Sequence, residues 1–108
     1  MKIVFDLDGT LCDTRKKEDG GWNYSGSKPY LNRIEVVNNL YDEGNHIIID
    51  TARGSWSKKD WSEVTAEQLK SWGVKYHELR VGEKLAADLF VDDRAVNSEQ
   101  YFKDIREL

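Results

Sequence analysis

The chain has 108 residues, 39% hydrophobic and 33% charged, which leaves room for one domain of ordinary soluble composition around one core. A formal net charge of −4, with Lys and Arg scattered rather than clustered, argues against a sequence-independent nucleic-acid binder. No apolar run approaches the core of a signal peptide or a membrane span, so a cytoplasmic protein with no membrane partner is expected, and the lone Cys12 cannot form an internal disulfide.

Ile3-Val4-Phe5 reads as a buried strand that carries Asp6 out at its carboxyl end, where Gly9-Thr10 turns the backbone. If the chain stays extended over Asp6-Leu7-Asp8, both carboxylates point to one side, an arrangement that suits a divalent cation or a split acid/base role. A solvated Asp-x-Asp-Gly turn is the alternative for those residues taken alone. Cys12 follows with no base partner in sequence and reads as a packed, inert thiol. The stretch 12–28 is irregular, with Gly20, Gly21 and Gly26 as hinges and Trp22 and Tyr24 as faces able to stack on a sugar or a base, so it reads as a flap. A disordered surface loop is the competing reading.

Pro29 fits the first turn of a helix, with Tyr30, Ile34, Val37 and Tyr41 at helical spacing up to Gly44. Ile47-Ile48-Ile49 is the next strand and ends at Asp50-Thr51. Ser57 and Asp60 read as a capping pair for a second helix, whose stripe Trp61, Val64, Leu69 and Trp72 stops at Gly73. Val74 to Leu79 is a weak strand and Leu89-Phe90-Val91 a better one. Tyr101, Phe102, Ile105 and Leu108 mark a terminal amphipathic helix. Alternating strands and helices imply right-handed crossovers and a parallel, doubly wound sheet, which would gather Asp6, Thr51 and Asp92 at the carboxyl ends of different strands. His46 and His77 show no metal-ligand spacing.

Asp6-Leu7-Asp8-Gly9-Thr10-Leu11 resembles the first motif of the haloacid dehalogenase-like phosphohydrolases, and Thr51, Lys84 and Asp92-Asp93 fall in the order of that family's further motifs. The resemblance implies a three-layer Rossmann-like α/β core with a mostly parallel sheet over residues 1–108. It implies Asp6 as the nucleophile that becomes an aspartyl-phosphate, Asp8 as the proton shuttle, Thr51 as a phosphate ligand and Lys84 as the neutralising charge. Lys58 and Lys59 compete for that last role. A Mg²⁺ ion would be held by Asp6, the backbone carbonyl of Asp8 and Asp92, with Asp93 beside it. Arg53 and Arg94 each follow a strand end, where a planar fork suits a carboxylate or second phosphate of the substrate; a structural ion pair with a neighbouring Asp is the alternative. Asp50 departs from the apolar residue expected before Thr51, and would either orient Arg53 or crowd the site with charge.

Neither inter-motif gap has room for a cap domain, which resembles the capless members of bacterial capsule and sugar-phosphate metabolism. The implied activity is a phosphomonoesterase acting on a sugar phosphate or related small metabolite, in a homo-oligomer (dimer or tetramer). The four tryptophans and five tyrosines suit an oligomer interface or a core equally. A 3′-phosphatase on nucleic-acid ends and a catalytically idle binding protein are the alternative functions.

Overall fold

A computed structural model describes residues 1–107 of the chain; Leu108, expected as the last apolar position of the terminal helix, lies outside the described residues. Three strands form a parallel sheet: β1 (Lys2–Phe5), β4 (His46–Thr51) and β5 (Glu78–Val81), in the order β1-β4-β5. Short strands β2 (Cys12–Asp13) and β3 (Lys28–Pro29) pair as an antiparallel clip that closes the base of the 12–28 loop. The helices are α1 (Leu31–Asp42), α2 (Ser62–Ser71) and α3 (Ser98–Glu107).

The registers Phe5↔Ile49 and Ile49↔Leu79 place alternate residues of all three strands in one cross-strand row. That row is the floor of the core, where Phe5, Ile47 and Ile49 meet Ile34 and Val37 of α1, Leu69 of α2 and Phe102 of α3. Both crossovers step in the same direction across the sheet, so right-handedness puts α1 and α2 on the same face. Val4, which alternation turns the other way, is 56% exposed. The third helix docks on the first strand through Phe5, stacked on Phe102 at 6.2 Å and edge-on to Tyr101 at 6.1 Å. Arg33 of α1 ties the same corner, donating to Glu99 at 2.8 Å and to the carbonyl of Thr10 at 3.0 Å.

Four elements differ from the sequence reading, the first being β5, which runs Glu78–Val81 rather than Val74 to Leu79. Pro29 pairs with Cys12 in the clip, and α1 starts two residues later because its first turn needs Tyr30 to leave the extended conformation. The second helix starts at Ser62, not Ser57: Lys58 has φ 62°, which interrupts any helix there, and Asp60 instead accepts the N–H of Ser62 at 2.9 Å. The strand expected at Leu89-Phe90-Val91 is absent. Those residues are irregular and exposed, and β1 keeps its outer edge unpaired, so the apolar run has found no strand to join. Among the described residues no helix is long and apolar enough to cross a membrane.

Candidate active site

The carboxyl end of the sheet opens into a cleft of about 740 Å³. Asp6 follows β1 directly, Thr51 ends β4, and the backbone after β5 turns back to bring Lys84 over the same end. Gly9, at φ 82°, makes the turn that folds Asp8 back toward Cys12, and Thr10 then reaches Asp6. Gly54, at φ 81°, performs the equivalent service after β4; a Cβ there would collide with the carbonyl oxygen of Lys59.

Asp6 is poised at the floor of the cleft. Its Oδ1 accepts from Lys84 Nζ at 2.9 Å and its Oδ2 from Thr10 Oγ1 at 3.1 Å, while 41% of its side-chain surface stays open. The carboxylate is therefore oriented and accessible, the combination a nucleophile requires. Thr51 lines the same cleft, is almost wholly buried and accepts the backbone N–H of Arg53 at 3.3 Å.

Asp8 is held by Arg53 in a bidentate pair, Nη2 to Oδ1 at 2.8 Å and Nε to Oδ2 at 3.0 Å, with Thr14 donating to Oδ1 as well. Arg53 itself is 1% exposed and every face of it is occupied. Its Nη1 donates to Gln68 Oε1 at 2.6 Å and Thr65 Oγ1 at 3.2 Å on α2, Nη2 donates to Ser27 Oγ at 3.2 Å, and the guanidinium lies 4.9 Å from the Tyr24 ring centre. Expected to grip substrate, Arg53 is instead committed to the structural ion pair: its donors are spent on Asp8, on α2 and on the 12–28 loop. Gln68 extends the same tether by donating to the carbonyl of Tyr24 at 2.7 Å.

Cys12 is buried beside this network, and burial, the largest cause, pushes its thiol up to about 11. It is a packed neutral group, as its lack of a base partner suggested.

The remaining predicted residues divide in two. Trp22 and Tyr24 line the cleft, so the 12–28 loop does stand over the acid pair. Asp92, Asp93 and Arg94 do not line it. Without a fourth strand nothing carries them to the sheet end: Asp92 accepts the N–H groups of Arg94 and Ala95 in an exposed turn, and Arg94 pairs loosely with Asp93 at 3.9 Å. The backbone bond from Arg94 also holds the Asp92 carboxyl below its ordinary range. Among the described residues no cluster of three or more His, Cys, Asp or Glu side chains could hold a metal ion. The expected set of Asp6, the Asp8 backbone carbonyl, Asp92 and Asp93 thus does not fit a Mg²⁺ cage in this arrangement, since Asp92 and Asp93 lie in an exposed turn outside the cleft.

Asp50 neither orients Arg53 nor lines the cleft. It stands in register with Arg80 on β5, and its Oδ1 is buried without a hydrogen-bond partner. His77 is stacked between Tyr41 and His46 and accepts the Ile47 N–H at 3.0 Å, a packing role. Thr10, Thr14, Ser27, Thr65 and Gln68 were not singled out in sequence. Only Thr10 carried a signal, as part of the first motif; the others are single hydroxyls or amides whose partners lie far along the chain. Lys59, a competitor of Lys84 in the sequence reading, lines the cleft with its Nζ 4.6 Å from the Trp61 ring centre. A second hollow of about 560 Å³ beside Glu63, Glu67 and Trp72 contains neither motif aspartate.

No protein-family model and no curated protein matches the chain. A crystal structure from Vibrio cholerae, described only as a structural-genomics target, is similar with a TM-score of 0.77 and 26% identity, over 98% of this chain and 94% of that one. That likeness supports the α/β fold.

Proposed function

We propose that the chain is a phosphomonoesterase of the haloacid dehalogenase-like type, working through an aspartyl-phosphate on a small phosphorylated metabolite. The observation that carries this reading is the Asp6 carboxylate, held between Lys84 and Thr10 and open to a cleft that also contains Asp8.

In the first step an Asp6 oxygen bonds to phosphorus and the phosphorus–oxygen bond to the leaving alcohol breaks. The alcohol takes a proton from the Asp8 carboxyl, so Asp8 enters this step protonated at Oδ2, with the Arg53 Nη2 bond to Oδ1 retained. In the second step Asp8 takes a proton from water, the hydroxide bonds to phosphorus, and the bond to Asp6 breaks to release inorganic phosphate. Asp8 Oδ2 is the oxygen suited to both transfers, because it accepts only Arg53 Nε whereas Oδ1 also serves Arg53 Nη2, Thr14 and Cys12. Lys84 supplies positive charge beside the nucleophile, offsetting the repulsion between a carboxylate and an anionic phosphate.

A substrate labelled at phosphorus, mixed with enzyme and quenched in acid, leaves label on the protein that hydroxylamine removes, as an acyl phosphate requires. Steady turnover with no trapped label at any quench time contradicts the covalent route.

A Mg²⁺ ion belongs to this proposal only together with a rearrangement, and no step above passes through it. The exposed run Leu89-Phe90-Val91 and the free outer edge of β1 are complementary: pairing them would add a fourth strand and carry Asp92 toward Asp6. A four-stranded Rossmann-like core is proposed in that form; the three helices already packed on the Phe5 face make it two layers, not the three expected from the sequence. Adding Mg²⁺ is expected to slow amide hydrogen exchange in residues 2–5 and 89–93 together. Exchange unchanged at saturating Mg²⁺ contradicts both the ion and the fourth strand.

A further inference from the structure

We infer that the cleft is built for a phosphomonoester carrying a flat aromatic group, the nucleoside monophosphates being the general biological class. The inference rests on the phosphomonoesterase reading for the position of the phosphate and goes beyond it in the nature of the leaving group.

Three separate segments each bring aromatic rings to the cleft. Trp22 and Tyr24 come from the 12–28 loop, Trp56 and Trp61 from the connection between β4 and α2, and Phe90 from the stretch after β5. None of these rings belongs to the core cluster. Tyr24 and Trp61 are engaged with each other edge to face, centres 4.9 Å apart, and are capped by Arg53 and Lys59. Trp56 differs: it is 91% exposed, with no aromatic or cationic partner among the described contacts. Trp56 therefore offers the cleft lining an indole face on which a flat ligand group can stack.

The polar lining separates an aromatic leaving group from a polyhydroxylated one. A sugar ring is recognised by carboxylates and amides that bond pairs of hydroxyls. Among the described residues no Asn, Gln or Glu lines this cleft, its two aspartates are assigned to the chemistry, and Arg53 is spent. What remains is largely apolar or aromatic, with Leu85, Ala86 and Ala87 beside the aromatic rings in the lining, together with the hydroxyl residues Thr14, Thr51, Ser55 and Ser57. Lys59 and Lys84 provide local positive charge for the phosphate in a chain of net charge −4.

The test compares a nucleoside 5′-monophosphate with ribose 5-phosphate, which has the same phosphate and sugar but no base, by kcat/KM and by equilibrium binding. Stacking of one base predicts a preference of about 5- to 150-fold in both, which Trp56→Ala draws toward one. Trp56 is exposed, so this variant is expected to fold. Equal values for the two ligands, a preference for ribose 5-phosphate, or a ratio unmoved in Trp56→Ala overturns the inference. The binding arm needs no turnover. Selective binding without phosphate release from either compound defeats the phosphatase reading and leaves the aromatic site standing, whereas turnover without selectivity does the reverse.

Discussion

Replacing Arg53 with alanine is expected to lower the unfolding free energy by about 3 kcal/mol, enough to move Tm down by more than about 10 °C in a domain of this size. The loss has three sources. Asp8 keeps its charge in a partly buried position without its bidentate partner, Gln68 Oε1 and Thr65 Oγ1 lose their donor, and the packing of the guanidinium over Tyr24 disappears. Arg53→Lys keeps the charge but not the fork, so it should recover part of the stability while leaving Asp8 poorly aimed. The signature is a variant that melts closer to the parent than Arg53→Ala does, yet turns over slowly at saturating substrate. A melting temperature for Arg53→Ala within about 2 °C of the parent would show that the network contributes little to folding.

The second large effect belongs to Asp6. Asp6→Asn preserves the shape of the side chain and removes its nucleophilic charge, and turnover should fall by at least about a thousandfold. Stability should change little, because the lost ion pair with Lys84 is partly exposed and such pairs contribute about 0–1 kcal/mol. Asp6→Asn and Arg53→Ala therefore separate the two aspartates of the first motif: one is expendable for the fold and the other is bound into it.

How far the sequence revealed this arrangement depended on the range of the forces involved. Asp6 and Thr51 could be gathered from the sequence because apolar runs ending in turns place such residues at one end of a parallel sheet, whereas Lys84 was reached only through the family resemblance. The same logic failed for Leu89-Phe90-Val91. An apolar triplet has the composition of a strand, but a strand also needs a partner, and whether it pairs with the free edge of β1 is not written in the triplet. The fate of Arg53 was equally hidden. Its planar fork suits a substrate carboxylate and a protein carboxylate alike, and the choice is made by Thr65 and Gln68, which reach it only because α2 packs beside β4. The start of α2 was misplaced because Ser57 and Asp60 have the chemistry of a cap, while the left-handed backbone at Lys58 keeps the intervening residues out of the helix.

The aromatic rim changes how the open site is understood. The proposed fourth strand would alter the sheet beneath Asp6 and carry Phe90 with it, whereas Trp22 and Trp56 belong to other segments, so metal dependence and stacking on those two rings are separable properties. A phosphatase that discriminates by stacking needs no cap domain to enclose its substrate, because the 12–28 loop and the connection after β4 already supply the walls.

The most direct test of the central claim is inorganic phosphate release by the parent chain and by Asp6→Asn, measured side by side with Mg²⁺ present on nucleoside monophosphates and sugar phosphates. Turnover by the parent is expected, with at least about a thousandfold less by the variant at an unchanged melting temperature. An Asp6→Asn variant that releases phosphate within tenfold of the parent rate, or a parent that releases none from any of these substrates, would contradict it.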